Sequence, residues 1–129
     1  MSGEAPPPTA VVLAGLEPTA TVPEQIAALN LAGFSYEAIA YVVGVSRGTI
    51  NNWADERHAP QSRKKARHLD DIRFAARLLI EDGGLEPPAA ARWLTKENGS
   101  NPRYPILDAI REHPNEMLEK ISEVIADHS

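Results

Sequence analysis

The chain has 129 residues, 43% of them apolar and only 5% aromatic, so it forms one compact domain or two very small ones around a core of Leu, Ile, Val and Ala. It has no cysteine, which excludes disulfides, thiolate metal sites and thiol nucleophiles and makes a reducing cytoplasm the expected compartment. The formal net charge of −5 argues at first against a nucleic-acid partner, no apolar run approaches the roughly 18 residues of a membrane span, and the start lacks the basic segment of a secretory signal.

Residues 1–20 contain Pro6, Pro7, Pro8 and Pro18 without a usable apolar period, and a disordered arm is expected there. Thr21-Val22-Pro23-Glu24 has the form of a capping box with proline in the first turn. A helix follows to about Ala32, with Ile26 and Leu29 inward and Gly33 as its left-handed cap. Ser35 caps a second helix over 36–43, whose apolar stripe is Ile39, Ala40 and Val43. Gly44-Val45 makes a turn, and Ser46 caps a third helix over about 47–55, with Ile50 and Trp53 inward. Residues 58–61, with Pro60, read as a linker. A long helix is expected over about 62–82, since Leu69, Ile72, Ala76 and Leu79 recur at spacings of three and four, and Gly83-Gly84 ends it. Shorter helices are expected over about 87–96 and 105–111, separated by a turn-rich loop at 98–102. A terminal helix over about 114–127 carries Met117, Leu118, Ile121, Val124 and Ile125, an apolar face that either closes the core or pairs with a second chain.

The stretch from Ser35 to Trp53 meets a demanding pattern. Ala40 is small where two helices must cross, and Gly44 stands four residues later where the backbone must turn left-handed. Ile50 and Trp53 plug the gap between the helices, and Val43 and Val45 flank the glycine. These positions describe a helix-turn-helix, whose second helix enters the major groove of duplex DNA. Its outer face would carry Ser46, Arg47, Gly48, Thr49, Asn51 and Asn52. Arginine pairs with guanine and asparagine with adenine through two hydrogen bonds each, and the free first-turn amides suit a phosphate oxygen. The bland alternative is a helical hairpin with no ligand. The chain is therefore expected to be all-α, with an arm at 1–20, a helix-turn-helix bundle at 21–60 and a helical region for dimerisation or partner binding at 61–129.

Charge distribution answers the objection raised by the net charge. Residues 1–56 carry −5, residues 57–73 carry +4 and residues 74–129 carry −4. The basic block includes Arg57, His58, Arg63, Lys64, Lys65, Arg67 and His68 and directly follows the expected reading helix. Salt screens charges beyond roughly 8–10 Å, so this local block decides what a phosphate meets. Cations at a helix start oppose the helix dipole, so another benefit is expected, and phosphate contact by Arg57, Arg63, Lys64 and Lys65 supplies it.

The helix-turn-helix segment resembles the Xre family of regulators, in which a tryptophan commonly closes the third helix. Ala90-Ala91-Arg92-Trp93-Leu94, Asn98 and Tyr104-Pro105-Ile106-Leu107-Asp108-Ala109-Ile110 resemble the toxin-binding region of Xre-type antitoxins from RES–Xre toxin–antitoxin operons. In one place the chain departs from that pattern: Ser100-Asn101-Pro102-Arg103 stands where a glycine pair precedes the Pro-Leu turn. The resemblance covers about residues 22–125. It implies a bacterial or phage protein that represses its own operon, forms a homodimer and neutralises a RES-domain toxin that consumes NAD. It implies toxin contacts from Arg92, Trp93, Arg103 and Tyr104. Read from the residues alone, Trp93 and Leu94 belong to a core, and Arg92 and Arg103 are ordinary surface residues.

Catalysis finds no foothold. His58, His68, His113 and His128 are scattered, Asp70-Asp71 and Glu81-Asp82 point in different directions on a helix, and no phosphate-loop pattern surrounds Gly83-Gly84. No cofactor or metal is expected. Two rivals stand beside the repressor-antitoxin: a stand-alone or phage-type regulator whose C-terminal half only dimerises, and a helical interaction protein that binds no DNA.

Overall fold

The first helix of the structure, a computed structural model describing residues 9–55, 63–97 and 104–128, lies where disorder was expected. Helix α1 (Thr9–Gly15) and the residue after it bury Val12 and Leu16 completely. Gly15 permits the docking: a Cβ there would stand 2.5 Å from the Ala28 Cβ and 2.9 Å from the Glu24 carbonyl. Arg73 clamps the same corner. It is only 3% exposed, donates to the Leu16 carbonyl at 2.6 Å and pairs with Asp70 at 2.8 Å. The disordered arm is thus corrected for residues 9–20, while residues 1–8 lie outside the described residues. Helix α1 packs chiefly on α2, and the donor to the Leu16 carbonyl, Arg73, comes from distant sequence.

Capping chemistry sets the next boundaries. Helix α2 (Val22–Ala32) opens on the expected box: Glu24 Oε1 accepts from the Thr21 amide at 2.8 Å, and the Thr21 hydroxyl accepts from the Glu24 amide at 3.3 Å. These hydrogen bonds favour the ionised carboxylate and hold Glu24 below the usual carboxylate range. Gly33 ends α2 with φ +128°, and the Phe34 amide turns back to the Leu29 carbonyl at 3.0 Å while the Phe34 ring seals the core. Helix α3 (Tyr36–Val43) is capped by Ser35, whose hydroxyl accepts from the Ala38 amide at 3.0 Å. Helix α4 (Arg47–Ala54) follows the Gly44 turn.

Helix α5 (Arg63–Arg77) continues into a π-helical turn, Leu78–Asp82, rather than running as one α-helix to residue 82. The wider turn buries the consecutive residues Leu79 and Ile80. Gly83 follows because a Cβ there would meet the Leu79 carbonyl at 2.5 Å. Helices α6 (Pro87–Leu94), α7 (Pro105–Glu112) and α8 (Pro114–His128) each start at a proline, whose missing N–H costs nothing in a first turn. The chain is all-α, with a helix-turn-helix bundle followed by a small helical region.

One hydrophobic cluster joins the two parts. Buried residues of α1 to α4 and of α5 to α8 belong to it together, and α3 packs against α4, α5 and α7. Residues 56–62, where the domain boundary at 60 was expected, lie outside the described residues. Met117 and Ile121 put the apolar face of α8 into this core, so α8 serves the chain's own packing.

Candidate nucleic-acid interface

Helices α3 and α4 are joined by three residues, Gly44, Val45 and Ser46, and the first and last of them set the geometry. Gly44 takes φ +87° and ψ +36°, the left-handed region that a β-carbon disfavours, and its amide and that of Val45 both return to the Ala40 carbonyl, at 2.8 and 3.1 Å. Ser46 then caps α4: its hydroxyl accepts from the Thr49 amide at 3.1 Å and lies 2.9 Å from the Thr49 hydroxyl. Ile50 is fully buried and Trp53 is 4% exposed, which fixes the rotation of α4 against α2 and α3.

That rotation leaves Arg47, Gly48, Asn51 and Asn52 exposed as one continuous strip, since residues three and four apart lie side by side on a helix. The strip offers a guanidinium, two carboxamides and, at Gly48, bare backbone. Thr49 sits half-buried at its edge, and Ser46 and Thr49 have their hydroxyls turned to one another. At the start of α4 the Arg47 and Gly48 amides have no acceptor within the helix, as at any helix N-terminus. These features can pair with base edges and hold a phosphate oxygen.

Among the described residues no packing contact calls for a glycine at 48. A Cβ there would approach only the Ser46 Oγ, at 3.8 Å. Glycine inside a helix costs up to about 1 kcal/mol relative to alanine, and here no close internal contact offsets it.

Cations gather at the neighbouring start of α5. Arg63, Lys64 and Lys65 are exposed in its first turn, which itself contains no acidic residue, and Arg67 is exposed one turn on. Arg57 and His58 lie outside the described residues. Arg73, part of the basic block by sequence, is buried against Asp70 and adds little to the outer field. The fold brings in a cation that the sequence kept apart: Arg111 of α7 lines a groove with Lys64, Lys65 and His68. Its separation from Lys64 along the chain hid it, and only the packing of α7 on α3 and α5 reveals it.

The residues of the expected toxin contact are divided. Arg92 is exposed on α6, Trp93 is half-buried against the core, and Arg103 lies outside the described residues. Tyr104 is 7% exposed and packs edge-on against Tyr41, with ring centres 5.1 Å apart, so most of its ring serves the chain's own core. Arg92 and the visible edge of Tyr104 share a shallow groove with Ser35 and Ala38, at the first turn of α3. The cationic groove lies at the other end of that helix, beside Val43 and Gly44. At 1.5 Å per residue the two ends of α3 are about 12 Å apart.

Among the described residues no helix is long and apolar enough to cross a membrane. Comparison of the chain with protein-family models, with curated proteins and with solved structures finds no match.

Proposed function

We propose that the protein is a sequence-specific transcriptional repressor that reads duplex DNA with α4 and also binds and neutralises a RES-type toxin. The observation carrying the DNA half is the exposed strip of Arg47, Gly48, Asn51 and Asn52 on a helix held by a left-handed Gly44 turn, beside exposed cations at the start of α5. In this mechanism Arg63, Lys64 and Lys65 fix the register on the phosphate backbone. Arg47, Asn51 and Asn52 then compare base edges in the major groove. Gly48 keeps the helix backbone close to the groove floor. Pairing of two copies on a two-fold operator would raise affinity through simultaneous contact with both half-sites.

The toxin half rests on the sequence resemblance and on the groove shared by Arg92 and Tyr104. A stand-alone regulator is the second reading. It is favoured by the commitment of Tyr104, one of the expected toxin contacts, to the chain's own core.

Fluorescence anisotropy on DNA from upstream of the protein's own gene tests the DNA half. Arg47→Ala with Asn52→Ala removes only exposed groups, so the fold survives, and each lost base contact costs about 1–3 kcal/mol. Unchanged operator affinity in that variant excludes α4 as the reading helix. Pull-down of a co-expressed RES-domain protein tests the other half, and failure of the wild type to capture one leaves the stand-alone regulator.

A further inference from the structure

A groove of about 560 Å³ opens beside the α3–α4 turn, between that turn, α5 and α7. Its lining includes Gly44, Lys64, Lys65, His68, Arg111 and Glu112, so three cations face one carboxylate. Arg111 is held in place rather than swinging freely. It donates to the Tyr41 carbonyl at 3.3 Å, pairs with Asp108 at 3.2 Å and lies over the Tyr41 ring at 5.6 Å. A guanidinium carries five N–H donors, so these two hydrogen bonds leave others for a ligand.

His68 is the second, independent feature. It is 8% exposed, it lines the groove, and its Nδ1 is buried with no hydrogen-bond partner among the described residues. Buried polar atoms are almost always satisfied, and an exception beside converging cations marks a place where a ligand supplies the missing partner. Burial first, then the charges of Arg111, Lys64 and Arg67, push the imidazole below its usual range, so it is neutral near pH 7. As the Nδ1–H tautomer it donates to an oxygen, and an anion in the groove also favours its protonation.

The geometry points to a phosphate-binding site in this groove, with Lys64, Lys65 and Arg111 supplying charge and His68, whose Nδ1 is closed off in this conformation, donating once its ring turns towards the groove. A phosphate group has acceptor oxygens in several directions, matching donors that converge from α5 and α7. Its source in the cell is the DNA backbone, because the groove adjoins the turn that delivers α4. That assignment of source rests on the DNA-binding reading; the phosphate chemistry does not.

The test follows the His68 imidazole by long-range proton–nitrogen NMR on the full chain, while inorganic phosphate replaces chloride at constant ionic strength. Expected are a saturable shift of the His68 nitrogens, a rise in its pKa, and clear weakening in K64Q/K65Q, whose changed side chains are exposed. A linear response, or one that K64Q/K65Q leaves unaltered, overturns the proposal. Duplex DNA is then added to the phosphate-loaded protein. Displacement of phosphate identifies the DNA backbone as the source, and a phosphate site that duplex does not disturb belongs to a free phosphate compound. A wild-type chain that binds phosphate saturably but binds no duplex contradicts the DNA-binding reading while upholding the site.

Discussion

Replacing Gly48 with alanine separates what the fold wants from what the proposed function wants. Position 48 lies in the first turn of α4, and among the described residues a Cβ there meets nothing closer than the Ser46 Oγ at 3.8 Å, an ordinary contact. The substitution therefore removes the conformational cost of glycine without a clash and stabilises the fold by about 0.5–1 kcal/mol. For a chain of this size that raises the thermal midpoint by roughly 2–5 °C. The methyl group, however, is added on the strip that meets DNA, where it lifts the helix from the groove floor. A loss comparable to one base contact, about 1–3 kcal/mol, weakens operator binding roughly 5- to 150-fold. Differential scanning calorimetry and fluorescence anisotropy on the same preparation read the two effects. A more stable variant with wild-type affinity refutes the role given to Gly48, and a less stable one refutes the packing argument.

Leu16→Ala removes a fully buried side chain from the α1–α2 contact and should cost about 2–5 kcal/mol, a fall of roughly 10 °C or more in the thermal midpoint; an unchanged midpoint means that α1 is not docked. Affinity for duplex DNA should fall with salt at a log–log slope of about −5 if about six phosphates are neutralised, and K64Q/K65Q should make that slope shallower by about two. A flat salt response in the wild type removes the phosphate role of the α5 cations. His68 links stability to pH: its folded pKa lies below the unfolded value of 6.5, so the unfolded chain binds the proton first. Its contribution is complete above that value and is lost as pH falls through it towards the folded pKa. Denaturant midpoints at pH 7.5 and 5.5 should therefore differ more in the wild type than in His68→Gln, and equal differences would show that His68 does not titrate as its surroundings demand.

The helix-turn-helix was legible because its constraints are local. Ala40, Gly44, Ile50 and Trp53 sit at spacings fixed by helix geometry and one left-handed turn, and Thr21, Ser35 and Ser46 cap the helices that follow them. The docking of α1 was not legible. It is only seven residues long between the prolines at 6–8 and Pro18, and its partners Ala28 and Arg73 are reached only after the chain has folded. The same reason hid Arg111 from the basic block and Arg73's withdrawal from it. Charge counts along a sequence record which residues are near in the chain, whereas a phosphate responds to those near in space. Likewise the motif around Tyr104 reads as a contact surface until Tyr41, from α3, is found against its ring.

Selection of binding sequences from a random duplex pool tests the central claim, that α4 reads bases, most directly. The wild-type chain should enrich a defined sequence, while Arg47→Ala with Asn52→Ala, folded to the same thermal midpoint within a degree or so, should retain salt-dependent binding to the pool but enrich none. Failure of the wild type to enrich any sequence, or enrichment of the same sequence by the variant, contradicts the account.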